Sequence, residues 1–538
     1  MEDQPVIRRI LLAACLAAII AAPVSAQKVS ASPKPTLVVF VTIDQMRGDY
    51  YARFKPQLTG GLKRLVEGGA FFRNGFQDHA ITETAPGHAS TMSGRFPVHT
   101  GITANALGVG TSSAPLLGGA TELGASPFRF RGTTLTDWMR AADPAMRFLS
   151  VSRKDRGAIL PIGRTKGDVY WWSGNAGIFT TSRYYADSLP GWVQRFNAEK
   201  GYAAYAGKTW NLLLPADKYV EEDTVWEESA GTDFLFPHPF PSDTADVARL
   251  FANYPVMDSL TLALALRGVQ EKELGANPAR TDLLAVSLST TDAVGHKYGP
   301  DSRELHDQIL RVDRYLGMFL DSLFKLRDQQ RVLIALTGDH GVTPYPELHT
   351  GRYPNQDAKR VNLDPIVAAL QASLTAAKVP ESAWSFREGV LFVHDPAAFD
   401  SAKVNADSVG RAFAAAVRKV PGVLRVDRFT DFAKANLAKD KIARRWLHMF
   451  PPNGAAKYAV TLTPYSYWQQ VTYATHGMPH DPDAGVPVLF WGARVKPGAY
   501  PDVVRTVDMA PTLAAMLGIK PAEPLDGVVL TKAVRATR

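Results

Sequence analysis

Residues 35–44 read PTLVVFVTID. Seven apolar or β-branched residues, Leu37 to Ile43, run without a break and end on an acid, Asp44. A continuous run of this length suits a strand covered on both faces, the habit of parallel sheets. Three more stretches have the same form. RFLSVSRKDR (147–156) ends in Lys154, Asp155 and Arg156. TDLLAVSLSTTD (281–292) ends at Asp292, and RVLIALTGDH (331–340) ends at Asp339 and His340. Between them lie stretches with helical spacing, VMDSLTLALALRGVQEKELG (256–275), closed by a Gly C-cap, and SRELHDQILRVDRYLGMFLDSLFKL (302–326). Strands alternating with helices predict an α/β fold with a large, mostly parallel sheet covered on both sides. In such sheets the ligand site lies beyond the carboxyl ends of the strands. Four of those ends carry Asp, His, Lys or Arg.

Two regions differ. Residues 157 to about 240 and 342 to about 475 are rich in loops, aromatics, Pro and Gly, as in DVYWWSGNAGIFTTSRYYADSLPGWVQRFN (168–197). They are expected to be insertions that form a cap around the mouth of the site. VPVLFWGARV (486–495) and TVDMAPTLAAMLG (506–518) are expected to return to the sheet as a strand and a helix.

The chain begins with Arg8 and Arg9, then ILLAACLAAIIAAPV, then Ser25-Ala26-Gln27. A basic start, a short apolar core and a small-residue ending predict a secretory signal peptide over 1–26. That leaves 27–538 as one exported catalytic domain. The expected location is the periplasm, with the extracellular medium as the alternative. A lipoprotein-like cut before Cys15 would leave LAAIIAAPV on the mature chain and is the weaker reading. Cys15 is the only cysteine of 538 residues, so the mature chain has no disulfide, thiolate nucleophile or cysteine metal ligand. The net charge of +8 is dispersed. It fits attraction of small anionic substrates, not binding of a nucleic-acid polymer or, after cleavage, of a membrane. The oligomeric state is open, with a monomer favoured.

The metal-competent residues recur in order. Asp292 and His296 lie four apart in DAVGH, Asp339 and His340 are adjacent, His476 sits in ATHGMPHD, and Asp44 closes the first strand. Three carboxylates and three imidazoles suffice for two zinc ions with open positions. One Asp at a strand end more often caps a loop, so the inference rests on the combination. Thr84, in ITETAPGHAS (81–90), is either a helix N-cap with a Pro near the helix start or a nucleophile. A free threonine hydroxyl attacks poorly. Beside zinc, which lowers the pKa of bound water from 15.7 to about 7, it becomes competent.

Taken in order, VTIDQMRGD, TETAPGH, DAVGHKYG, TGDHG and THGMPHD resemble the motifs of the alkaline phosphatase superfamily. The resemblance runs from about Leu37 to DMAPTLAAMLGI (508–519). It is strongest to the phosphate-irrepressible alkaline phosphatases, which use threonine. Asn105, 21 residues after Thr84, and the Lys154–Arg156 pair in SRKDR support that branch. The resemblance implies an alkaline-phosphatase-like α/β/α sandwich and two Zn2+ ions. One would be held by Asp292, His296 and His476, the other by Asp44, Asp339, His340 and Thr84. It implies that Thr84 attacks phosphorus to form a phosphothreonine. Asn105, Lys154 and Arg156 would bind the nonbridging oxygens of a small phosphate monoester. Two cations and an amide match a dianionic group with three free oxygens.

The nearest alternative is a nucleotide pyrophosphatase/phosphodiesterase, which shares the metal ligands and threonine but lacks the Lys-x-Arg pair. Sulfatases need a cysteine or serine that TAPGH does not supply, and the mutase branch is cytosolic. A non-catalytic zinc- or phosphate-binding protein would be expected to have lost a ligand or the nucleophile, and here both are present.

Overall fold

The structure is a computed structural model describing residues 33–223, 235–347 and 357–535. The leader expected at 1–26 lies outside them. Nine strands form the central sheet: β1 (Leu37–Ile43), β2 (Ala70–Phe76), β3 (Phe148–Ser152), β4 (Asp168–Ser173), β5 (Ile178–Thr180), β6 (Asp282–Leu288), β7 (Val332–Thr337), β8 (Gly485–Gly492) and β9 (Gly498–Arg505). Their spatial order is β9-β2-β8-β7-β1-β6-β3-β4-β5. Only β8 and β5 run against their neighbours.

The pattern of β1 explains the layers. Leu37, Val39, Val41 and Ile43 enter one core, with Leu62, Leu264, Leu305 and Ile309 from the covering helices. Val38 and Phe40 enter the opposite core, with Ala85, Met92, Trp138 and Leu513. Full burial of such side chains contributes about 1.5–3 kcal/mol each, so a strand buried on both faces is firmly held. The α/β/α sandwich follows. The long helices are Val256–Glu271 and Arg303–Leu326. The first stops at Glu271, capped by Lys272 and not by Gly275. Gly275 takes φ 71° in the turn beyond it.

Register levels the strand ends. Ile43 pairs with Leu288, Thr42 with Thr337, and Ser152 with Ser287. The residues just past these ends, Asp44, Asp292, Asp339 and Lys154, therefore emerge on one edge of four adjacent strands.

Within 157–240, β4 and β5 join the central sheet. Within 342–475 lies a separate antiparallel sheet, Trp384–Arg387, Val390–Val393, Ala456–Leu462 and Val423–Arg428 in spatial order. It has its own core around Phe413, Val417 and Tyr458. It is fastened to the main body where Ala80 and Ile81 pack with Phe392, Phe429 and Trp446. Arg444 adds a two-point ion pair to Asp78, at 2.8 and 3.0 Å.

Candidate active site

Thr84 opens the helix Thr84–Ser93, and Glu83 takes the N-cap position in extended conformation (φ −117°, ψ 165°). Thr84 is therefore the first helical residue and not the cap. The helix lies hard against the loop after β7, because a Cβ on Gly87 would sit 2.1 Å from the Asp339 carbonyl oxygen. Glycine at 87 permits that approach. The Thr84 Oγ1 is buried, 3.3 Å from the Lys154 Nζ and 3.4 Å from the His340 Nε2.

Two donor sets surround it. Asp292, His296 and His476 converge, as do Asp44, Asp292 and His340. Asp292 is thus shared between them. The expected division gave the second set Asp339 and left Asp292 to the first. Asp339 spends its Oδ1 on the backbone N–H groups of Gln45 and His340, each at 3.0 Å. Its Oδ2 lies 3.8 Å from the His340 Nε2 and is buried without a hydrogen bond.

The imidazoles are aimed by the backbone. His296, His340 and His476 each donate Nδ1–H to a carbonyl, of Ala474 (2.5 Å), Gly341 (2.9 Å) and Thr82 (2.7 Å). Each Nε2 is left facing inward. The Nε2 atoms of His296 and His476 stand 3.2 Å apart, with the Asp292 Oδ1 3.1 and 3.7 Å away. Two lone pairs and a carboxylate facing one point call for a cation between them. Nitrogen donors about 2.0–2.1 Å from a tetrahedral ion would be roughly 3.3 Å apart, so the pair fits a metal. The Asp44 carboxylate is fully buried, its Oδ2 2.7 Å from the Lys154 Nζ and its Oδ1 3.4 Å from the His340 Nε2, so both oxygens face the same cluster.

Charge in the site is dense. The Lys154 Nζ stands 2.7 Å from Asp44 and 2.6 Å from Asp292. Burial and Asp292 push the Asp44 carboxyl up, but Lys154 and His340 hold it well below the usual range. Burial pushes His340 down, yet Asp339, Asp44 and Asp292 raise it to about 9. Burial and the charge of His340 lower His476 to about 3. Burial and the charge of Glu388 raise Glu83 to about 7.

The other expected residues lie nearby. The Asn105 Oδ1 accepts from the Ala85 N–H at the helix start, at 2.9 Å, and its own N–H donates to Glu83. Arg156 lies in the short helix that Lys154 precedes, and its Nε is buried without a hydrogen bond.

Three supporting residues were not singled out in the sequence. Arg153 donates to the Ser289 carbonyl at 2.9 Å. His88 approaches Asp339 at 3.2 Å and Ser287 at 3.0 Å. Gln45 is fully buried with φ 62°, and beyond its N–H to Asp339 its Nε2 donates to Asp292 at 3.1 Å. It therefore ties together carboxylates from two strand ends. Its position directly after Asp44 is the one signal the sequence offers. Replacing Gln45 with Met keeps the volume and removes the side-chain donor. Metal affinity, measured by chelator competition, should fall about 10–100-fold, the usual effect of losing such support.

Residues 38–386 match the type I phosphodiesterase / nucleotide pyrophosphatase family. That match, with the relatives that follow, places the chain in the alkaline phosphatase superfamily, to which it belongs. Within it the chain is a phosphatase resembling the PafA-type enzymes. It is 31% identical over 519 residues to alkaline phosphatase PhoV of Synechococcus elongatus, covering 93% of this chain and 92% of that protein. It is 30% identical over 515 residues to a protein of Myroides odoratus named calcium-transporting ATPase, covering 90% and 92%. The crystal structure of alkaline phosphatase PafA superposes with a TM-score of 0.84 at 27% identity, over 94% of this chain and 99% of that one. Among the described residues no helix is long and apolar enough to cross a membrane.

Proposed function

We propose that this chain is an exported, zinc-dependent alkaline phosphatase that hydrolyses small phosphate monoesters through a phosphothreonine on Thr84. The observation that carries it is the Thr84 hydroxyl, at a helix N-terminus, within 3.4 Å of both Lys154 and His340 and beside two donor sets. Asp292, His296 and His476 would hold one ion, and Asp44, Asp339 and His340 the other, with Asp292 close to both. When bound, such ions lower the pKa of a coordinated hydroxyl or water and stabilise negative charge on attacking and leaving oxygens.

The residues themselves order the substrate. The helix dipole at Thr84 and the Lys154 ammonium attract the phosphoryl dianion. Asn105 and Arg156 supply further donors for its free oxygens. The Thr84 hydroxyl gives up its proton and Oγ1 bonds to phosphorus as the bond to the leaving oxygen breaks, and that oxygen takes up a proton to depart as the alcohol. Water then cleaves the phosphothreonine, restoring Thr84 and releasing inorganic phosphate. The export signal at 1–26 and a cap made by 342–475 together with the part of 157–240 outside β4 and β5 complete the reading.

The family description includes phosphodiesterases, so the test is a direct comparison. On zinc-loaded protein at alkaline pH, kcat/KM for p-nitrophenyl phosphate should exceed that for bis-p-nitrophenyl phosphate by at least about 100-fold, since one well-placed donor alone contributes that much. Dialysis against a chelator should abolish both activities and zinc should restore them. A preference for the diester would overturn the monoesterase reading. ATP belongs in the same panel, because a relative is named for its hydrolysis.

A further inference from the structure

Beside the reaction site lies a cavity of about 220 Å3, with Glu83 and His476 among the residues that line it. It is small against the roughly 300–1,000 Å3 of pockets for drug-sized ligands. Its walls include Tyr467, Trp468 and Tyr473, and Glu388 adds a second carboxylate to that of Glu83. Among the described residues neither Lys nor Arg lines it; the Arg360 guanidinium stands over the Tyr467 ring, 5.7 Å from its centroid, and donates to the Val471 carbonyl. The site is bipolar, with Lys154 and Arg156 around the phosphoryl position and carboxylates with aromatic rings on the far side.

The separate antiparallel sheet delivers Glu388. Arg387 pairs with Val390, so Glu388 and Gly389 form a two-residue turn, with φ 47° and 71°. The guanidinium of neighbouring Arg387 lies over the Phe392 ring, 5.0 Å from its centroid. Tyr473 stands edge-on to His296, at 5.2 Å between centroids, so this wall touches the donor set. Of the acids, Asp483 is committed to the Thr343 hydroxyl and the Met478 N–H. Glu83 spends Oε2 on Asn105. Among the described residues Glu388 makes no hydrogen bond.

We infer that this cavity receives the alcohol portion of the substrate and selects small alcohols bearing a positive charge, amino or quaternary ammonium, over those bearing a second anion. Carboxylates attract the cation, and aromatic faces bind ammonium groups through their ring quadrupoles. A second phosphate or carboxylate would enter a pocket of like charge. The inference rests on the monoesterase reading and goes beyond it by naming the substrate class.

The test compares phosphocholine with its neutral isostere 3,3-dimethylbutyl phosphate, and 4-carboxyphenyl phosphate with phenyl phosphate. Each pair is measured in the wild type and in Glu388→Gln. Dividing the wild-type ratio by the variant ratio cancels intrinsic reactivity. The preference for phosphocholine should fall about three- to tenfold in Glu388→Gln, the range of partly exposed charge and cation–ring contacts. Discrimination against the carboxylated ester should relax by a similar factor. Opposite shifts for opposite charges are not produced by general damage to the fold. Unchanged ratios, or shifts of the same sign, would overturn the inference. So would hydrolysis of p-nitrophenyl phosphate without hydrolysis of either alkyl ester. Failure to hydrolyse any monoester would instead overturn the reading on which it rests.

Discussion

Thr84→Ala should reduce kcat/KM for p-nitrophenyl phosphate by about 10⁴-fold or more, as loss of a covalent nucleophile does elsewhere. The structure gives reasons to expect the fold to survive. Thr84 is the first helical residue, and no backbone group depends on its side chain for a cap. Its Oγ1 contacts are the Lys154 Nζ and the His340 Nε2, both also held by carboxylates. Circular dichroism and zinc content should therefore stay near wild type. The labelled phosphoenzyme trapped from wild type by rapid acid quench should be absent. Retention of more than about one hundredth of the activity would mean that water attacks phosphorus directly, and Thr84 would revert to a packing role.

The second large effect concerns charge. Lys154→Ala with Arg156→Ala should cost about 10²–10³-fold more for the monoester than for the diester. Each donor lost from a preorganised, buried site typically costs a factor of that order. The monoester brings two negative charges and three free oxygens, so it depends on both cations. The diester brings one charge and two free oxygens. Lys154 also faces Asp44 and Asp292, so zinc content must be measured alongside. A variant that binds zinc normally yet loses monoester and diester activity equally would show that these cations do not read the phosphoryl charge.

The sequence showed some of this plainly. β1, β3, β6 and β7 are covered on both faces, and that burial is why β1 and β7 are continuous apolar or β-branched runs and β3 and β6 are interrupted inside only by small Ser150 and Ser287. β2 lacks that form. AFFRNGF carries Arg73 and Asn74, and its burial alternates unevenly. β9 holds Pro501 and is mostly exposed on one face. The candidate ligands stand out in the sequence because metal binding demands particular residue types and these fall at strand ends. The sharing of Asp292 does not, because whether it lies near one donor set or two depends on the register of β6 against β1 and of β1 against β7. Gln45 and Glu388 were illegible for a related reason. Their meaning lies in residues far away in the chain, Asp292 and Asp339 for one and Glu83 for the other.

The place of β8 has a consequence for how this chain comes into being. It is made late, as residues 485–492, yet it pairs with β7 on one side and β2 on the other. While the chain is emerging, β7 (VLIALT) has a bare flank, and the early β2 has no neighbour to dock on. An exposed flank of that composition invites pairing with another chain. Pairings this distant in sequence are also slow to form. Growing chains therefore need either a holding partner or rapid completion, and a product stopped before residue 485 would be a seed for aggregation and not a smaller working protein.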